Sequence, residues 1–159
     1  MPILSTDAVK GPSAQLRAVL RWLDAVTTSH DADALAAVLT DDYTHIFLPK
    51  SLGLPSYDKP SFIEYAQNVL MPLLTEYNTT IHEVIQTEDK VVVHSTSIGR
   101  ASTGHTYTSE IMVIAHVVPD LDGEYKIKAF SEFADSNLVA DFYFAQVKRQ
   151  EEAELVKDV

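Results

Sequence analysis

TTIHEVIQTEDKVVVHSTSIG, residues 79–99, carries the decision about the fold. Two runs rich in Val, Ile and Thr flank the acidic turn signal Glu88-Asp89, the pattern of two strands joined by a tight turn. The chain continues in kind. HTYTSEIMVIAHVV (105–118) and EYKIKAFSEFA (124–134) are two further β-rich runs, set off by Ser102-Thr103-Gly104 and by PDLDG (119–123). Four consecutive strands with short connections predict an antiparallel meander.

Upstream the period changes. From Ser13 to Ser29, Leu16, Val19, Leu20, Leu23 and Val26 recur at helical spacing, with Ser13 as the candidate N-cap. A short second helix follows, capped by Asp31 and burying Leu35, Val38 and Leu39. DDYTHIFLP (41–49) reads as a strand with Tyr43, His45 and Phe47 on one face and Thr44, Ile46 and Leu48 on the other. A third helix is predicted to begin near Asp58 to Ser61, where Ser61 and Glu64 have capping-box spacing, and Pro72 should end or kink it at about Met71. DSNLVADFYFAQVKRQ (135–150) reads as a last helix, capped by Asp135 or Ser136. Helices around one strand, then a meander, then a helix make an α+β chain. One domain is expected over 13–150, with flexible termini at 1–12 and 151–159.

Composition narrows the classes. The chain has 159 residues and a net charge of -11, with 46% hydrophobic residues. Such a charge disfavours a nucleic-acid partner. The absence of cysteine excludes disulfides and thiolate chemistry. No apolar run suggests a membrane span, and the N-terminus has no leader-like pattern, so a cytoplasmic protein is expected. No Gly-rich phosphate loop is present, and no cofactor is expected. His45, His82, His116 and Glu110 could supply metal ligands, but no pair has zinc-motif spacing, so no metal is expected.

The order and spacing of RWLDAVTTSHDADAL (21–35), THIFLPKSLGLP (44–55), TIHEVIQTEDKVVVHS (80–95) and FSEFADS (130–136) resemble the nuclear transport factor two-like superfamily. Within it the chain is most similar to fungal SnoaL-like proteins, over about Leu16 to Phe144. The resemblance implies a cone-shaped (cystatin-like) α+β barrel: a curved antiparallel sheet wrapped around the N-terminal helices, enclosing an apolar pocket and closed by a C-terminal helix. It also implies a homodimer through the outer sheet face. Members include polyketide cyclases, steroid isomerases, scytalone dehydratase and isomerases of fungal meroterpenoid pathways; others have no catalytic role.

The resemblance further implies which faces point inward. Tyr43, His45 and Phe47 match the pocket-facing set, and Tyr57, Phe62, Leu70 and Met71 its mouth or wall. His82 falls where scytalone dehydratase carries a catalytic histidine, with Val84 and Gln86 on the same face. Glu110, Met112, Ile114 and His116 would face inward, and Ile111, Val113 and Ala115 outward with Val92, His94 and Thr96. Glu132 lies near the carboxylate that SnoaL-type cyclases use. Val26-Thr27 and Ala101 stand where scytalone dehydratase has its Tyr-Asp pair and its second histidine, so scytalone-type dehydration is not expected.

Each residue also has a plain reading. His45 among aromatics is more often a satisfied wall residue than a catalyst. Glu110, lone among apolar neighbours, is either a paired structural group or a pocket carboxylate suited to proton transfer. His116 is expected to be structural, and His30 and His105 to be solvated in turns. Trp22 reads as core-edge packing or pocket wall. The expected function is a cofactor-independent cyclase, isomerase or dehydratase acting by proton transfer on a small apolar carbonyl metabolite, a polyketide or terpenoid intermediate. His45 or Glu110 would be the base, with His82 or Tyr57 as hydrogen-bond donor. The alternative is a non-catalytic binding module or a dimeric scaffold.

Overall fold

The computed structural model describes residues 7–101, 104 and 106–157. A short helix, α1 (Asp7–Lys10), precedes α2 (Ala14–Thr27) and α3 (Ala32–Val38). Ser13 caps α2 by accepting the Leu16 N–H, and Asp31 caps α3 through the Asp33 and Ala34 N–H groups. Both caps satisfy backbone donors that the first helical turn leaves unpaired. Strand β1 (Leu39–Leu48) follows, then β2 (Tyr57–Asp58) and α4 (Lys59–Tyr65). The capping box forms one turn earlier than expected: Asp58 and Ser61 bond each other's backbone reciprocally. A wide helical turn at Ala66–Leu70 and the single turn α5 (Met71–Leu73) lead into the meander.

The meander comprises β3 (Leu74–Gln86), β4 (Lys90–Ala101), β5 (Thr106–Pro119) and β6 (Tyr125–Ala134). The sheet order is β2-β1-β6-β5-β4-β3. Every neighbouring pair is antiparallel except β1 and β6, which run parallel because helices and the whole meander intervene between them. This is the expected α+β cone, with one parallel pair. α2 crosses the concave face against β4, β5 and β6. Helix α6 (Ser136–Lys157) closes the chain; Asp135 accepts from the Asn137 and Leu138 N–H groups at its start. Helical backbone therefore continues through 151–157, where a flexible terminus was expected. His105 lies outside the described residues, as do 1–6 and 158–159 of the expected termini.

Two irregularities decide which side chains face inward. In β3, Ile81 pairs with Ser95 and Glu83 with His94, leaving His82 as an extra residue. In β6, Ala129 pairs with His116 and Ile127 with Val117, leaving Lys128 extra. One extra residue reverses the alternation beyond it. Ile127, Phe130 and Glu132 can then all face the concave side, although strict alternation would separate Ile127 from the other two.

Candidate active site

A cavity of about 750 Å³ lies between α2 and the concave sheet face, with α6 along its mouth. Its wall is mainly apolar: Leu20, Leu23 and Val26 of α2 meet Phe47, Ile81, Val93, Ile111 and Phe130 of the sheet. Val19 and Trp22 also line it, while Leu16 and Ala25 of the same helix are buried in the core. Among the described residues, Glu132 is the carboxylate that the sheet contributes to this wall. Asp135, Asp141 and Arg149 stand at the α6 side.

Glu132 arrives there by register. In the parallel pair, Phe47 stands opposite Glu132 and His45 opposite Phe130, so all four share the concave face. His45 Nε2 lies 3.1 Å from Glu132 Oε2, and the Tyr43 hydroxyl lies 2.7 Å from His45 Nδ1. The imidazole is fully buried, whereas the Glu132 side chain is 19% exposed. Phe62 stacks on the imidazole at 4.2 Å with an interplanar angle of 14°, and Phe130 lies nearly parallel to it at 5.4 Å. Aromatic faces therefore clamp the ring while both its nitrogens are bonded edge-on.

The protonation pattern follows from the partners. Burial, reinforced by the Glu132 charge, pushes the Tyr43 hydroxyl well above its usual pKa, so it remains a neutral donor. With the hydroxyl donating to Nδ1, the consistent tautomer of the neutral imidazole has its proton on Nε2, donated to the carboxylate. Every bond in the chain Tyr43–His45–Glu132 then runs one way. The Trp22 Nε1–H is buried near the Tyr43 hydroxyl, where it slightly counters the rise, but it has no hydrogen bond of good geometry among the described residues. Along the sheet, Tyr77 is held up to about 12, by burial first and the Glu132 charge as well, against a hydrogen bond with Ser97.

The structure redistributes the expected site residues. His45, Tyr43 and Glu132 come together, and Trp22, Phe47 and Leu70 line the cavity. His45 and Tyr43 form the packed layer beneath the wall, however, and do not line the cavity themselves. Tyr57 is set back from the wall, stacked on Tyr65 at 4.8 Å. Met71 is buried beside a shallow polar hollow near His30 and Gln67.

The β5 assignment is reversed. Glu110, expected to be buried, has a 69% exposed side chain on the convex face, where Oε1 lies 2.7 Å from His94 Nε2. Met112 and Ile114 are exposed on that face, and His116 shares it by alternation. Ile111, Val113 and Ala115 point inward instead. The reason is pairing: Met112 stands opposite His94 and Glu110 opposite Thr96, and directly paired residues share a face. His82 is turned outward by the β3 bulge and bonds Thr96 Oγ1 at 2.7 Å. Val84, beyond the bulge, packs against the core, while Gln86 reaches the Ser13 hydroxyl.

The sequence reading missed the buried hydroxyls of the wall, Thr79, Ser95, Ser97 and Ser109. Their signal was available in β4, where the inward series Val91, Val93, Ser95, Ser97 changes from apolar to polar partway along. Among the described residues no three His, Asp or Glu side chains form a metal-binding group, and no helix is long and apolar enough to cross a membrane.

Residues 19–130 match the SnoaL-like domain family, and the chain belongs to it. No curated protein matches the sequence significantly. Among solved structures, BvnE pinacolase from Penicillium brevicompactum is similar with a TM-score of 0.65 at 24% identity, over 87% of this chain and 92% of that one. AusH from Aspergillus nidulans is similar with a TM-score of 0.61 at 22% identity, over 79% and 88% of the two chains. A ketosteroid isomerase-like protein from Erwinia carotovora atroseptica SCRI1043 aligns with a TM-score of 0.57 at 20% identity, over 75% and 92%. These likenesses establish a shared fold.

Proposed function

We propose that this SnoaL-like domain is a cofactor-independent enzyme that moves a proton on a small, apolar, carbonyl-bearing metabolite, a polyketide or terpenoid intermediate of the kind handled by fungal members. The observation that carries this reading is the His45–Glu132 contact of 3.1 Å at the wall of an apolar cavity. A binding module needs the cavity alone. A carboxylate held in an apolar wall by a buried imidazole is an expensive addition unless it does chemistry.

Glu132 is the base in this reading. His45 fixes one of its oxygens and leaves the other to face a substrate C–H adjacent to a carbonyl. Tyr43 fixes the imidazole tautomer, so both act as positioning residues. His82 and Tyr57 lie away from the cavity, and the donor to the developing enolate oxygen is a wall hydroxyl, with Ser95 the next inward residue beyond Val93 on β4. Return of the proton at another atom gives isomerisation; loss of a β-hydroxyl gives dehydration; attack of the enolate on a second carbonyl gives cyclisation.

A bicyclic ketone, 2-tetralone, in D₂O tests the base. Proton NMR should show protein-accelerated loss of the α-proton signals, and Glu132→Gln should abolish the acceleration. Equal acceleration by the variant, or none by the native protein over buffer, would sink the reading.

The protein is also proposed to be a homodimer through the convex face. That face exposes Ile85, Ile98, Met112, Ile114 and Phe133 around the His94–Glu110 pair. A sheet face left in water is more polar than this. Sedimentation equilibrium at micromolar concentration should give twice the chain mass; a single species of 17.6 kDa would contradict it.

A further inference from the structure

We propose that the end of the cavity remote from Glu132 is a subsite for a second, uncharged oxygen of the substrate, built by the hydroxyl row Thr79, Ser97 and Ser109. The inference rests on the reading of Glu132 as the group that meets the reacting end. Thr79 pairs with Ser97, and Ser97 with Ser109, so the three form one row across β3, β4 and β5. All three are buried and line the cavity. Thr79 Oγ1 and Ser97 Oγ lie 3.0 Å apart, and the Tyr77 phenol bonds Ser97 as well.

Packing alone does not call for these residues. Val91 and Val93 fill the equivalent inward positions earlier on β4, and a valine has nearly the shape of threonine without its polar atom. Thr79, Ser97 and Tyr77 satisfy one another along the wall, yet each hydroxyl oxygen has a second lone pair and a rotatable proton, so the row can also bond a ligand oxygen without leaving a buried group unpaired.

The spacing and charge of the wall define the ligand class. Ser109 lies four residues along β5 from Val113, which pairs with Glu132. At about 3.3 Å per residue the two ends are separated by about 13 Å at the backbone. A molecule that meets both is elongated. Among the described residues, the sheet wall presents no Lys or Arg to the cavity; Arg149 stands on α6. Arg149 is exposed to solvent, so a carboxylate or phosphate at the hydroxyl row would be desolvated with no cation on the sheet beside it. Hydroxyls donate and accept, so the remote group is a ketone or an alcohol. The substrate class is therefore a neutral, elongated molecule oxygenated at both ends.

Two probes on one tetracyclic skeleton test this: androstane-3,17-dione, oxygenated at both ends, and androstan-3-one, oxygenated at one. The single tryptophan, Trp22, lines the cavity, and quenching of its emission reports binding. The dione should bind about tenfold more tightly, the scale of one or two net hydrogen bonds. In Ser97→Ala/Ser109→Ala the two ketones should bind equally, with the monoketone affinity unchanged; Thr79→Val should lower the ratio in the same direction. Equal affinities in the native protein, parallel weakening of both ketones in the variants, or binding of neither would overturn the subsite. Glu132→Gln should leave the ratio intact, so failure of the base, read by α-deuteration, is distinguishable from failure of the subsite.

Discussion

Glu132→Gln is expected to lower turnover about 10² to 10⁴-fold while leaving the fold intact, the range that a positioned general base contributes. Glutamine keeps the length of the side chain and can still accept the His45 Nε2–H through its amide oxygen. What it lacks is a basic oxygen facing the cavity. The Glu132 side chain is partly exposed, so the change leaves no fully buried group without a partner. Substrate affinity should change little, because the rest of the sheet wall is apolar surface and hydroxyls. Turnover per site, measured with chemistry rate-limiting, separates this from a binding defect.

His45→Phe is expected to destabilise the fold by about 2 to 4 kcal/mol and to remove most of the activity. The ring would still stack between Phe62 and Phe130, so shape alone suggests a mild change. Hydrogen bonding points the other way. The Tyr43 hydroxyl is buried and would lose its acceptor, at about 1 to 3 kcal/mol, and the carboxylate would lose its donor. Adding Tyr43→Phe removes the orphaned hydroxyl and should restore part of the stability but none of the activity. Chemical denaturation of the two single variants and the double variant gives the coupling directly. Independent effects of the two substitutions would mean that the Tyr43–His45 bond is unimportant.

Much of this architecture is legible in the residues. The helix caps at Ser13 and Asp31 and the aromatic face of β1 were readable because each has one strong local cause: a side-chain oxygen before a helical period, or an alternation with large rings on one side only. Strand β5 had no such cause. EIMVIAHVV is apolar on both faces, so alternation fixes the two sets but not which set points inward. Glu110 looked like a pocket carboxylate for that reason, although its cross-strand neighbours place it opposite Thr96 on the outside. Pairing register would have resolved it, since His94 was already expected to face outward.

The remaining misreadings come from bulges and depth. The extra residue His82 turns outward in β3, and Lys128 brings Phe130 and Glu132 to the side of Ile127 in β6. Neither insertion has a glycine or proline to mark it. Parity places His45 on the correct face but says nothing of depth; Phe62, from a helix distant in sequence, covers it and leaves Glu132 at the surface of the cavity.

The central claim is that a neutral His45, protonated on Nε2, holds Glu132 as an ionised base. Nitrogen-15 NMR of the imidazole side chains at neutral pH tests it most directly. His45 should show an unprotonated, hydrogen-bonded Nδ1 and a protonated Nε2 whose resonance moves in Glu132→Gln. A proton on Nδ1 with Nε2 bare would contradict the account, because Nε2 could then bond Glu132 only if the carboxyl itself carried the proton, and it could not be the base.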